Sequence, residues 1–509
     1  MNIKRNIKMK IIKRFFSASA LAAALLAVFS VSCEKPQKAA QELVIGEQFD
    51  LQSIDPKEGM LDDTQILIYN GLIEIDSSFR LTPALAESWT MSDDGLVWTF
   101  NLRRGVKFHD GEAWNAAAAL DNFKRLDGYP GLADAADVDA PDDYTLVLKM
   151  KRPVYNLASN LARTMMSMVS PKAINADGSL EYEAGSGPYK LTSWEKNAEY
   201  VFEAFDEFWG GKPALRKITF KVIPDAASRA LALETGDIDM MSGYQSLAAV
   251  KKLQNDPRFQ IIKKTQNTSE FLLFNMKKKP LDDYNVRAAI ACALDFNLIV
   301  TQLLPGLASP PSGFFSPAYS ELVNPNVKNP PYNLESAREL LKGKQIAVSL
   351  TYNAANSEDA LLAPVIQDML ARAGITVTLN AVDGGALDDA LENKTFDMAL
   401  AGQSFIPTDD TLFHYRQGYW HSQSYYNMYS SDKLDALIDE LAGTMNAEKR
   451  KELNWEIQRE IAAQIPFVMV FHRNSVRIAQ AGIHNFDISA GVWHINRALK
   501  DAVIERGKK

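Results

Sequence analysis

Residues 217–265, KITFKVIPDAASRALALETGDIDMMSGYQSLAAVKKLQNDPRFQIIKKT, switch repeatedly between two periodicities. Lys217–Ile223 has the period-two alternation of a strand. Asp225 is placed to cap a helix running through Glu234, and Gly236 stops it. A short apolar strand, Ile238–Met241, follows. The pattern then repeats with a helix over Ser246–Asn255 and a strand over Phe259–Thr265. Strand, helix, strand, helix, strand predicts a mostly parallel sheet covered by helices.

Downstream the alternation continues. Phe271–Asn275 reads as extended and Tyr284–Leu294 as helical, and Asn333 caps a helix through Lys342. Strands are expected at Ile346–Tyr352, Ile375–Val382 and Phe396–Ala401, with helices at Glu358–Ala373 (stopped by Gly374) and Ala386–Asn393. Two amphipathic helices, Asp432–Leu441 and Ala447–Gln464, end at Pro466, and Phe467–Ile478 is a long strand. Pro305–Pro331, rich in Pro, Gly and Ser, is expected to be a surface loop. Upstream, Leu43–Gly46 is a strand and Asp63–Tyr69 a helix. The chain leaves the first α/β lobe near Thr268–Met276 and returns after residue 478. Paired extended crossings of this kind bend readily and predict a hinged cleft.

Before these lobes lies PALAESWTMSDDGLVWTFNLRRGVKFHDGEAWNAAAALDNFKRL, residues 83–126. Trp98, Phe100 and Leu102 alternate with polar neighbours between two turns, Ser92–Gly95 and Arg103–Gly105. Val106–Phe108 reads as a second short strand, and Asn115 caps an alanine-rich helix. Tyr144, Leu146, Leu148 and Met150 mark another strand, and Pro153–Met168 reads as helical. Over more than forty positions this stretch resembles the family-5 extracytoplasmic solute-binding proteins of ABC transporters, which carry peptides, nickel complexes and related solutes. The runs "LxIGE…IDP…D…IYNGL" from residue 43 and VIPDAASRALALETGDIDM from residue 222 resemble the same family. The resemblance implies an α/β, two-lobed periplasmic-binding-protein fold, type II-like, with an inserted subdomain and a hinged cleft. Its expected division is 43–74, 191–270 and 479–509 for the first lobe, 75–190 for the insert, and 271–478 for the second lobe.

With 509 residues, 47% hydrophobic and 23% charged, the chain has the composition of a soluble globular protein of more than one domain. The first 32 residues differ. Lys4, Arg5, Lys8, Lys10, Lys13 and Arg14 precede an acid-free apolar run, Phe15–Val31, that ends at Ser32-Cys33. This predicts a secretory signal peptide over 1–32. Ser17, Ser19 and Ser30 dilute the run below the roughly twenty apolar residues of a spanning helix. Cys33 is then the expected acylation site of a lipoprotein, with Ser30 where the lipobox usually has Leu, and 33–42 a tether. Without residues 1–32 the balance is 49 basic to 63 acidic residues, a net charge of −14. Such a surface excludes nucleic acid as a partner. Cys292, the other cysteine, sits in an apolar helical run and has no intramolecular disulfide partner in prospect.

Catalytic punctuation is missing. There is no G-x-S-x-G, H-E-x-x-H, C-x-x-C or phosphate loop, so no enzyme, cofactor or metal is expected. His414 and His421 are seven apart, about 10.5 Å of rise on one helix, too far to share an ion. The ligand-like stretch is Gly402–Tyr429, which follows a strand and mixes charge with aromatics, as loops at strand C-termini do where open α/β sheets bind ligands. Its candidates are Phe405, Asp409, Asp410, Thr411, Arg416, Trp420 and Tyr425, with Arg163 as a further carboxylate partner. Pro407–Thr411 resembles the family's Asp-Pro-(Asp/His) ligand loop, with Asp410 in place of the Pro. The resemblance implies that an aspartate here pairs with a peptide's ammonium; the same carboxylates read equally as caps of a helix starting near Thr411. The resulting expectation is a monomeric, membrane-anchored lipoprotein that captures a di- or oligopeptide outside the cytoplasm and delivers it to an ABC permease. A nickel or other metal chelate is the alternative solute within the family. A secreted hydrolase is the alternative of another class.

Overall fold

The computed structural model describes residues 41–58, 64–129, 132–243, 245–319, 322–404, 411–486 and 499–505. Cys33 and the apolar run before it lie outside them. Among the described residues no single helix is long and apolar enough to cross a membrane.

Eleven strands join into one sheet. Its path runs through 375–382, 346–353, 398–404, 259–274, 467–480, 240–241, 42–47, 217–222, 199–204 and 189–195, with 308–309 attached to 467–480. Its two halves are each parallel at heart. On one side, Glu42–Glu47 lies parallel to Lys217–Val222 and Met240–Met241. On the other, Ile346–Asn353 lies parallel to Ile375–Val382 and Met398–Ser404. The expected helices cover them. Asp225, Ser246 and Asn333 accept hydrogen bonds from Ser228, Ala249 and Ser336 N–H as caps, and helix Ala447–Gln464 has its expected bounds.

Between the halves stand two antiparallel crossing strands, Phe259–Phe274 and Phe467–Gln480. Their register shifts twice, between Thr265 and Ser269 and again between Glu270 and Phe271. The sequence separates Phe259–Thr265 from Phe271–Asn275 because polar Gln266–Glu270 interrupts the apolar pattern. In the structure that polar run stays in the strand and is buried, its side chains serving a local network rather than solvent.

A separate four-stranded antiparallel sheet, in the order 86–91, 97–102, 145–150, 135–142, packs on helix Ala116–Arg125. Trp98, Phe100, Trp114 and Phe123 fill its core, and Trp114 Nε1 donates to Leu85 O at 3.1 Å. Two expectations here are corrected. Val106–Phe108 forms only an isolated bridge, Lys107 to Ala113. Pro153–Met168 is helical only at Leu157–Leu161 and in a 3-10 turn at Thr164–Met166, because Pro153 and Asn156 delay the start and the segment bends to bury Leu157, Leu161 and Met166. Pro305–Pro331 is a surface loop only in part. Phe314, Phe315 and Tyr319 are buried with Tyr415, Trp420 and Phe467, so its aromatics outweigh its turn residues.

Candidate functional site

The parallel strands 346–353, 375–382 and 398–404 all end on one edge, the edge where open α/β sheets place ligands. Asn356 follows the first of them and caps helix Ser357–Arg372, its Oδ1 accepting from Glu358 N at 3.0 Å. The first turn therefore delivers Glu358 and Asp359 to the edge. The crossing strands deliver Glu270 and Arg473. Arg473 pairs with Glu358 through Nη1, and its Nη2 lies 3.7 Å from Glu270 Oε2. Opposite Glu270 on the next strand is Gly402, where a Cβ would come within 2.8 Å of Glu270 Oε2. The absent side chain is what gives the carboxylate its room.

Three carboxylates share one guanidinium here, largely out of water. The Glu270 side chain is 1% exposed, and its Oε1 has no hydrogen-bond partner. Burial is the main force on all three acids and pushes their pKa values up. For Asp359 the result is about 7, with Arg473 opposing burial and Glu358 reinforcing it. Glu270 is raised well above the carboxylate range by burial and then by Asp359, against Arg473. A charge taken from water without full pairing responds in this way.

Next to this cluster His472 is buried and neutral. Its Nε2 accepts from Ser312 N–H at 3.2 Å, which requires Nδ1 to carry the proton that it donates to Ser269 Oγ at 2.8 Å. Burial pushes its pKa down to about 4. Tyr419 is buried too, its hydroxyl pKa raised by burial and then by Tyr426, Glu270 and Asp388.

None of the sequence-derived candidates that the structure describes belongs to this cluster. Phe405, Asp409 and Asp410 lie outside the described residues. Thr411 is buried at the start of a short helical turn, Thr411–Phe413. Arg416 pairs with Asp439 on helix Asp432–Gly443. Trp420 is 1% exposed, 5.1 Å from the Phe467 ring and 5.9 Å from that of Phe314, and so belongs to the core. Tyr425 is 62% exposed and meets Tyr426 edge-on. Arg163, partly buried, sits between the helical turns that pack on the four-stranded sheet. Glu270, Glu358, Asp359 and Arg473 escape the sequence reading. The available signal was one acid and one base, Glu270 and Arg473, each at the border between a polar run and an apolar run of its crossing strand.

The model of the "Bacterial extracellular solute-binding proteins, family 5 Middle" matches residues 80–425. The chain belongs to this family. The glutathione-binding protein GsiB of Escherichia coli O1:K1 / APEC is 30% identical over 379 residues, 70% of this chain and 72% of GsiB. Among solved structures, DppA from Helicobacter pylori, an ABC transporter-associated periplasmic binding protein in complex with peptide STSA, is similar with a TM-score of 0.73. Its identity is 26%, over 91% of this chain and 98% of DppA. NikA from Brucella suis, in complex with Fe(III)-EDTA, has a TM-score of 0.83 at 22% identity, over 91% of this chain and all of NikA, and bears on the fold alone. This family-5 protein has the two-lobed α/β fold of such binding proteins. Like them it is a transport protein rather than an enzyme.

Proposed function

We propose that the protein is the extracytoplasmic solute-binding component of an ABC importer, that its solute is a di- or oligopeptide, and that it hands this solute to a membrane permease. The observation that carries the reading is the carboxylate-rich edge of the sheet's second parallel half, set beside two crossing strands that can flex as a pair. Acidic groups in a water-poor site suit an ammonium-bearing solute. GsiB binding glutathione and DppA binding a peptide support the same class. The lobes of this reading are 43–74, 191–270 and 479–509 for the first and 271–478 for the second, with 75–190 inserted. A buried cluster of its own within the insert supports part of that division, while another cluster runs from Ala230 and Leu253 into Leu272 and Leu350, across the boundary between the two lobes. Mass spectrometry of the solute released on denaturing the purified protein is expected to show a peptide. A metal chelate there would move the protein to the other solute class of its family.

Asp409 and Asp410 belong to the proposed site as partners of the peptide's ammonium. Removing such a charge costs about 2–5 kcal/mol, or tens to thousands of fold in affinity. Calorimetry with the released solute is expected to show that loss in Asp409→Asn or Asp410→Asn, with the unliganded thermal midpoint nearly unchanged. Binding within about threefold of the parent in both variants would make them helix caps.

The protein is further proposed to be a monomer held at the outer face of a membrane by acyl chains on Cys33, the apolar run before it being a cleaved signal. Stable anchoring takes two lipid signals, so loss of the modified thiol should free the chain. Cys33→Ala protein is expected in the soluble fraction after a high-salt wash. Retention in the membrane fraction would show that Phe15–Val31 is itself the anchor.

A further inference from the structure

We infer that the Glu270–Glu358–Asp359–Arg473 cluster is a binding subsite for a cationic group of the solute, an alkylammonium that completes the pairing the protein leaves unfinished. The inference rests on the solute-binding reading above and adds a place and a charge to it. Among the described residues three acids gather at Arg473, and Glu270 Oε1 is a buried acceptor with no donor. A buried oxygen left in that state costs stability, and a donor brought by a ligand would remove the cost. The cluster also has a wet side. The Arg473 and Glu358 side chains keep 13% and 15% of their exposure, with Glu270 behind them at 1%. Glu358 and Arg473 are therefore the members of the cluster that solvent reaches.

Gly402 bears on the same point. It lies opposite Glu270, at the end of the strand that leads into the 405–410 stretch. Its missing Cβ keeps the carboxylate from being pushed aside. A metal ion is a poorer occupant: among the described residues no three His, Cys, Asp or Glu side chains converge closely enough to hold one. An ammonium accepts looser geometry, since its three N–H donors can serve different carboxylates. Among the described residues the titratable groups around Glu270 are Arg473, Glu358, Asp359 and Tyr419; burial raises the pKa of each acid, to about 7 for Asp359, so the cluster holds on to protons more strongly than exposed carboxylates do. An arriving ammonium displaces them.

The ammonium can come from a peptide's amino terminus or from a lysine side chain. Calorimetry on the parent and on Glu270→Gln, with four probes, separates the two: tetra-alanine, N-acetyl-tetra-alanine, an N-acetylated tetrapeptide with one lysine, and cadaverine. In the parent, acetylated tetra-alanine is expected to bind at least about tenfold more weakly than the best cationic probe. Glu270→Gln should remove that preference, and Asp359→Asn should reduce it. Binding of the favoured probe should release protons, seen as a heat that varies with the ionisation enthalpy of the buffer. The unliganded thermal midpoint of Glu270→Gln reports folding, and is expected to hold because Gln matches a protonated Glu270 in shape and charge. If tetra-alanine alone is strong, the amino terminus is the source; if the lysine peptide is strong, the side chain is. If the acetylated neutral peptide matches the cationic ones within about threefold, or Glu270→Gln changes none of them, the subsite does not exist and the peptide reading survives. If only cadaverine binds, and needs Glu270, the peptide reading falls and the subsite stands. If no probe binds, both fall.

Discussion

Arg473→Met is expected to destabilise the protein by about 3–5 kcal/mol at pH 8, because it leaves buried carboxylates with no counter-charge. The loss should shrink as the pH is lowered. The acids of the cluster have pKa values raised in the folded state, about 7 for Asp359. Stability associated with such a group is present in full below its unfolded value and is lost as the pH rises through the folded one. At pH 5 Asp359 is protonated and asks for no guanidinium; at pH 8 it does. Urea unfolding at the two pH values checks this. Equal losses at both, or a loss under about 1 kcal/mol at pH 8, would show that Arg473 does not neutralise the cluster.

A second large effect is expected at Trp420. Its ring is enclosed by Phe314, Tyr419 and Phe467, and truncation to Ala in such a place costs about 3–5 kcal/mol through lost burial and the cavity left behind. Trp420→Phe keeps much of the ring and should cost clearly less. The urea midpoint of each variant measures this. If Trp420→Ala unfolds with the parent yet loses solute affinity, the ring faces the cleft and not the core.

The two cases show what can be read from a chain without its fold. Local grammar was legible. Asn115, Asp225, Ser246 and Asn333 cap helices because their short polar side chains reach a backbone N–H three residues on, which needs no tertiary partner. Strand Ile375–Val382 follows from β-branched alternation. Helix Phe296–Leu303 was missed since it continues the apolar run of Tyr284–Ala293, and only extended Leu294 and the cap Asp295 separate them. The site was harder. Trp420 looks the same in sequence whether it lines a cleft or fills a core; Phe314, a hundred residues earlier, settles which. Glu270 and Arg473 are two hundred residues apart, and nothing local to either announces the other.

The strand order also has a consequence for the timing of folding. Glu42–Glu47 comes first in the described chain, yet its parallel partners arrive only at residues 217–222 and 240–241. Met240–Met241 in turn waits for Ile478 and Ala479, and Ile483–His484 closes against Val503–Ile504. A chain that emerges amino end first therefore holds its opening strand unpaired until nearly half of it has been made. Contacts of such long range are slow to form, and open strand edges attract other chains meanwhile. By contrast, strands 346–353, 375–382 and 398–404 find their partners among near neighbours and can form early. The opening half is thus where a chaperone would be needed, and the last few dozen residues act as its latch.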